Sequence, residues 1–252
     1  MKSYDVIGNI AILKFPEKTR TREKKKTAES VLNKQKNIKT ILEKIERVKG
    51  KLRTIKTSFL LGNNTRETIH KESGGLFKLN VEKCYFSGRM SNDRIEIAKK
   101  IKHKDSVLVL FSGVAPYSII ISKLAKPKQI IAIELSRIAS TYARENVKLN
   151  KLSNIEIIQG DVRKINKLVK GKFDKIVMAR PNLKDTFLKY VFPYCKKSTI
   201  IFYHGFGEKD KVIKEIREGA KKAGKKIKIL GIKKIGEIAP YKYRWRVEIK
   251  VV

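Results

Sequence analysis

One stretch, Val107–Asn150 (VLVLFSGVAPYSIIISKLAKPKQIIAIELSRIASTYARENVKLN), limits the fold more than any other. It reads as strand, tight glycine-containing turn, helix, second strand, acidic residue, second helix. Glu134 closes the second apolar run, 21 residues beyond Gly113. This order is one half of a doubly wound sheet, with a carboxylate placed to accept hydrogen bonds from ribose hydroxyls. Gly113 lets the backbone approach a ligand closely.

From Ser106 onward strands and helices alternate. Strands are predicted at 106–111, 129–134, 154–158, 173–178, 197–203, 226–235 and 244–251, with helices near 116–126, 136–149, 183–194 and 208–224. Alternation implies a parallel sheet covered by helices on both faces. The last two strands have only a Pro240 loop between them and read as an antiparallel hairpin at the sheet edge. Before residue 84 the pattern changes. Tyr4–Lys14 reads as a strand, and a basic amphipathic helix is predicted over roughly 22–49 from the spacing of Val31, Ile38, Ile41, Leu42, Ile45 and Val48. Leu52–Leu61, Glu67–Lys71 and Leu76–Cys84 read as short strands separated by Gly62-Asn63-Asn64 and Ser73-Gly74-Gly75. The expected organisation is a small α+β domain over 1–83 and an α/β domain over 84–252, with Asp93–Ile101 as its leading helix.

Ligands of open α/β sheets sit at the carboxyl ends of the strands. Four strand ends point there: Phe111–Pro116, Glu134, Gly160-Asp161-Val162-Arg163 and Ala179-Arg180-Pro181-Asn182. Asp161 is a candidate acceptor for an adenine amino group, and the turn at Ala179 is where a transferring enzyme would receive its acceptor. The first turn carries one glycine, not G-x-G-x-x-G, and no second dinucleotide half follows. A ligand with one ribose and no pyrophosphate fits, which is what S-adenosylmethionine offers. Glu134 also has a plainer use, as a helix N-cap or surface carboxylate.

Lys plus Arg number 60 against 24 acidic residues, a formal net charge of +36. Such an excess repels itself in the folded state, and a polyanion relieves it. A lysine-rich compositional bias would give the same count, but charge and fold together point to nucleic acid. Cys84 and Cys195 stand alone, without CxxC, so a reducing, cytoplasmic setting is expected. His70, His103 and His204 are scattered, so no metal site is expected. No apolar run approaches the ~20 residues that span a bilayer, and the N-terminus lacks a signal-peptide pattern.

Several segments, in order, resemble the archaeal and eukaryotic tRNA (guanine-37 N1)-methyltransferase family and its relative, the wybutosine-pathway aminocarboxypropyltransferase. They are Ser3–Ala11, Thr68–Gly74, Tyr85-Phe86-Ser87-Gly88-Arg89, Phe111–Pro116, Ala132-Ile133-Glu134-Leu135, Glu145–Asn150, Gly160–Arg163 and Ile238–Tyr243. The resemblance implies a class I methyltransferase-type, Rossmann-like sheet with S-adenosylmethionine as cofactor, held by Phe111, Gly113, Val114, Glu134, Leu135, Asp161, Val162 and Arg94. It implies tRNA as partner, bound through its anticodon stem-loop to a monomer. The family's additional N-terminal domain, which touches the outer corner of tRNA, is expected to be missing.

Two departures from the family pattern bear on mechanism. The methyltransferases carry Phe-Ser-Pro-Arg and then a Glu used as general base; here Gly88 replaces the proline, Arg89 is kept, and Asp93-Arg94 follows. Their Asn-Leu-Pro or Asn-Pro-Pro after the fourth strand is Ala179-Arg180-Pro181, so Pro181 survives while the Asn does not; Asn182 or Arg180 could compensate. Arg53 matches an arginine that stabilises the acceptor base, with Lys51 or Arg66 as substitutes. The implied catalytic set is therefore Asp93, Arg89, Arg53 and Pro181. Tyr85, Phe86, Phe202 and Tyr203 are available to stack on an extruded base or to pack a core. Retained Arg89 and Pro181 favour methyl transfer over aminocarboxypropyl transfer; a catalytically decayed tRNA-binding protein is the third reading.

Overall fold

The computed structural model describes residues 4–45, 54–239 and 241–252. The backbone divides into two compact units, Met1–Gly88 and Arg89–Val252; the sequence had suggested a boundary at 83/84.

In the first unit, β1 (Asp5–Ile7) and β2 (Ile10–Leu13) pair as a hairpin, where one strand was expected over Tyr4–Lys14. Gly8 makes the turn at φ +56°, a left-handed conformation that costs other residues about 1–2 kcal/mol. From β2 the chain crosses through α1 (Thr21–Lys34) to β3 (Thr40–Lys44), which lies parallel to β2. The helix predicted over 22–49 thus stops at Lys34, and residues 46–49 of it lie outside the described residues. Thr40, Ile41 and Leu42 are all buried. Successive strand residues face opposite ways, so β3 is covered on both faces. A short apolar cluster of that kind fits either period. β4 (Thr57–Gly62) runs antiparallel to β3, and β5 (Glu67–Glu72) with β6 (Gly75–Asn80) forms a separate hairpin. Ala28 and Val31 of α1 pack with Ala11, Leu13 and Ile41, which leaves Arg22, Lys25, Lys26 and Lys34 exposed, while Lys24 pairs with Glu43 at 2.7 Å.

The second unit begins with α2 (Ser91–Ala98) and continues β7 (Ser106–Leu110), α3 (Pro116–Ala125), β8 (Gln129–Glu134), α4 (Arg137–Leu149), β9 (Ile155–Gln159) and β10 (Phe173–Met178). Then come α5 (Leu188–Val191), β11 (Cys195–Gly207), α6 (Lys209–Lys222), β12 (Ile227–Ala239) and β13 (Lys242–Val251). The strands form one sheet in the order β12-β13-β11-β10-β7-β8-β9. Pairing from β9 through β11 is parallel, and β13 runs antiparallel to both its neighbours. The order reverses between β7 and β10, so the ligand crevice lies at their carboxyl ends.

Leu108, Leu110, Ile176, Met178, Ile201 and Tyr203 share one core with Leu188, Val191, Val212 and Ile216 of α5 and α6. The intervening Val107, Val109, Val177 and Phe202 are equally buried and face the other layer, where α2 and α3 pack on each other. His204 continues that second set. The helix expected over 183–194 shrinks to α5 and a 3-10 turn over Phe192–Tyr194, with Pro193 in its first turn.

Candidate active site

The turn between β7 and α3 is bent three times. Phe111, Gly113 and Ala115 have φ of 59°, 57° and 67°. Two of these are not glycine, and each such residue costs roughly 1–3 kcal/mol, a strain that gathers at functional turns. Pro116 then opens α3, where its missing N–H costs nothing. The Gly113 amide donates to Glu134 Oε2 at 2.7 Å and the Ser136 amide to Oε1 at 2.8 Å. Burial pushes the Glu134 carboxyl up, against the amides of Ser136, Gly113 and Leu135. Each oxygen keeps a second lone pair for a ribose hydroxyl. Ser112 Oγ is buried with no hydrogen-bond partner among the described residues, a polar atom at the turn that a ligand would satisfy.

The remaining expected cofactor residues divide. Leu135 is 39% exposed at the end of β8, open to an adenine face. Phe111 is partly buried, edge-on to Phe187 at 4.9 Å. Asp161 caps the 3-10 turn Val162–Lys167, accepting the Arg163 amide at 2.9 Å, and pairs with the Arg163 guanidinium. The Val114 and Val162 side chains are core, which leaves their backbone to meet a ligand. Arg94 is fully buried, its guanidinium 5.6 Å from the Tyr117 ring centroid, which keeps it inside the helix layer.

Asp93 is buried on α2. Its Oδ1 accepts from Arg246 at 2.7 Å, and its Oδ2 from the Tyr117 hydroxyl at 2.6 Å and meets His204 Nε2 at 3.0 Å. Burial opposes its charge, but His204, the Tyr117 hydroxyl and the Arg246 guanidinium outweigh it and hold the carboxyl below its ordinary range. These partners favour its charged form. The His204 imidazole is pushed down by burial and by Arg244 and Arg246, against the pull of Asp93. His204, Tyr117 and Arg246 were not read from the sequence. The available signal was a histidine ending the apolar run Ile200–Tyr203, since a polar residue there needs a buried partner.

Arg180 cannot stand in for the missing Asn. It is buried, its Nε donates to the His204 carbonyl at 2.9 Å and its Nη1 to Leu183 and Asp185 carbonyls at 2.9 and 3.2 Å. It fastens the loop after β10. Asn182 is exposed and Pro181 half-buried. Phe202 and Tyr203 are wholly buried and Phe86 packs on Phe77 and His70, so these three are core rather than stacking faces. Arg89 is exposed on the 3-10 turn Gly88–Met90. Arg53 lies outside the described residues. Among the described residues no cluster of metal-ligating side chains occurs, and no helix is long and apolar enough to cross a membrane.

A family model described as the TRM5/TYW2 methyltransferase domain matches residues 68–230, and one described as the TYW2 N-terminal domain matches residues 1–65. The chain belongs to the TRM5/TYW2 family. It is 35% identical to tRNA (guanine(37)-N(1))-methyltransferase Trm5b of Pyrococcus abyssi, over 99% of this chain and 74% of that protein. It is 32% identical to the tRNA(Phe) (4-demethylwyosine(37)-C(7)) aminocarboxypropyltransferase of Methanocaldococcus jannaschii, over 94% and 93%. A structure of aTrm5 with tRNALeu superposes at TM-score 0.87 and 29% identity, covering 99% of this chain and 72% of that one. M. jannaschii TYW2 in complex with AdoMet gives TM-score 0.75 at 27% identity, covering 99% of each. The class I methyltransferase sheet is therefore the fold of this TRM5/TYW2 chain, as expected. The strained turn, the orphaned Ser112 hydroxyl and Glu134 fit the ribose-bearing cofactor of that family.

Proposed function

We propose that this chain transfers the methyl group of S-adenosylmethionine to N1 of guanosine 37 in tRNA. The observation that carries this reading is the 35% identity, across 99% of the chain, to a protein named for that reaction. Gly113, Ser112 and Glu134 would hold the ribose end of the cofactor, and Leu135 and Asp161 its base. When bound, the cofactor would supply an electrophilic methyl group on its sulfonium sulfur. Guanine N1 carries a proton and is a poor nucleophile, so the chain must take that proton and balance the charge that spreads to O6. Asp93 would be the base that takes the proton. Arg89 faces O6 with a charge-assisted hydrogen bond, and Pro181 shapes the turn that receives the base. The target nucleotide leaves its stack to reach the crevice, and the anticodon stem-loop is the part of tRNA bound.

A second reading has its own support. The match of residues 1–65 to the TYW2 N-terminal domain favours transfer of the aminocarboxypropyl group to a modified guanosine 37. Incubation of unmodified tRNA, and separately of tRNA carrying the wybutosine intermediate, with cofactor labelled in the methyl or the carboxyl group decides. Methyl label in 1-methylguanosine is the expected result. Carboxyl label alone, on tRNA carrying the wybutosine intermediate, would replace the first reading by the second.

A further inference from the structure

Arg244 is a buried cation without a counter-charge. It is 8% exposed, and it has no hydrogen bond or ion pair among the described residues. Its Nε is sealed from solvent with no partner. Nη1 and Nη2 make no bond either, yet they are not sealed, so the residual exposure belongs to the outer end of the fork. The Phe206 ring, 5.1 Å from the guanidinium, offsets the charge only in part. Folded proteins rarely keep a buried charge unless something pairs with it.

Across the β11–β13 ladder Arg244 pairs with Phe206 and Arg246 with His204. Both arginines therefore share the face on which Asp93 and Tyr117 stand. Arg246 takes Asp93, Glu96 and Glu248 at 2.7, 2.9 and 3.4 Å, and Lys233 and Lys100 hold the last two as well. Arg180, 5.3 Å from the same Phe206 ring, is taken up by the carbonyls of His204, Leu183 and Asp185. Of these three arginines, Arg244 is the one whose terminal donors are unused. β11 also continues past its neighbour. Met178, the last residue of β10, pairs with Tyr203, and Phe206 lies three residues further on, about 10 Å beyond the end of β10. Arg244 thus stands in the wall above the acceptor turn Ala179–Asn182, not in the floor of the sheet. Glu134 is on β8, across the β7–β10 switch point, so the ribose end of the cofactor and Arg244 occupy opposite sides of the crevice.

We propose that the Arg244 guanidinium binds the phosphodiester of the RNA strand beside the extruded nucleotide, its fork meeting two phosphate oxygens. The inference rests on the tRNA reading above and holds whichever group is transferred. A base edge would accept hydrogen bonds but bring no charge; a phosphate supplies both. Such a contact fixes the register of the strand without reading its sequence. Packing on Phe206 holds the fork in place before RNA arrives, so little side-chain freedom is lost on binding.

The test uses the full chain and a fluorescent anticodon stem-loop RNA, with binding read by anisotropy across salt. Arg244→Gln should weaken binding about ten- to a hundredfold and lower the salt slope by about 0.7, the share of one single-strand phosphate. Its S-adenosylmethionine affinity, read by titration calorimetry, should stay at the wild-type value. Single linkages on either side of nucleotide 37 are then replaced by uncharged methylphosphonate. One of them should cost the wild type a similar factor and cost Arg244→Gln nothing further, a coupling that a merely structural arginine would not show. Losses that simply add at every linkage, or wild-type RNA affinity in the variant, overturn the proposal. So does a variant that binds RNA normally and the cofactor weakly, which would give the guanidinium to the cofactor's carboxylate. A wild type that does not bind the stem-loop removes the tRNA reading itself, and the proposal with it. Taking away an unpaired buried charge should not lower the urea midpoint. Should Arg244→Gln still fail to fold, Arg244→Met keeps the packing on Phe206 and carries the same measurements.

Discussion

Glu134 Oε2 accepts the Gly113 amide and Oε1 the Ser136 amide, so one carboxylate ties the strained turn to the start of α4. The plain use of this residue and its ligand use are therefore not alternatives. The bonds that fix the backbone also fix the carboxylate that a ribose would meet. Removing it loses hydrogen bonds to a charged acceptor, worth about 1.5–3 kcal/mol. Glu134→Ala is expected to weaken S-adenosylmethionine binding by roughly ten- to a hundredfold, read by titration calorimetry. An unaltered dissociation constant in a folded variant would place the ribose elsewhere. Asp93 shows the opposite case. Its sequence position marked it as a site residue, but the three donors on it come from α3, β11 and β13, far away in the chain. No spacing rule announces such a meeting.

At the level of elements, the α/β half was legible where an apolar strand is followed by a helix of ten residues or more, as at β7–α3, β8–α4 and β11–α6, because those two periods do not overlap. The first unit was less so. Ile38, Ile41 and Leu42 fit a helical face and also a strand covered on both sides, and the crossover from β2 through α1 decides for the strand. Gly8 was within the predicted strand, yet it turns the chain back at φ +56°. A Cβ there would press on the Thr68 hydroxyl and stand 2.6 Å from the Ile69 carbonyl oxygen. β5 is bound to the same turn on either side of Ile69: Thr68 Oγ1 accepts the Asn9 amide at 3.1 Å, and the Gly8 amide donates to His70 Nδ1 at 3.0 Å. Strain and clash thus act together. Gly8→Ala should cost about 2–4 kcal/mol, seen as a lower urea midpoint for the first unit followed by limited proteolysis. A midpoint within error of wild type would mean that the β1–β2 turn tolerates a side chain.

For the molecule as a whole, the charge of +36 acts on every anionic partner but carries no base specificity. Its effect is legible in sequence as a number and in structure as a place. Lys221, Lys222, Lys226 and Lys228 are exposed where α6 ends and β12 begins. If they meet phosphates, each contact releases counterions, and the logarithm of affinity falls with the logarithm of salt by about 0.7–0.9 per contact. Replacing all four by Gln should weaken tRNA binding at moderate salt and flatten that slope by about 3. The loss should be similar for every tRNA, because phosphate contacts are blind to sequence. Single-turnover methylation at saturating tRNA should stay near wild type, since none of the four lies at the strand ends that form the crevice. A variant that binds more weakly with an unchanged slope would show that the lysines act through packing instead of charge. A variant with full affinity would move the RNA-facing surface away from α6.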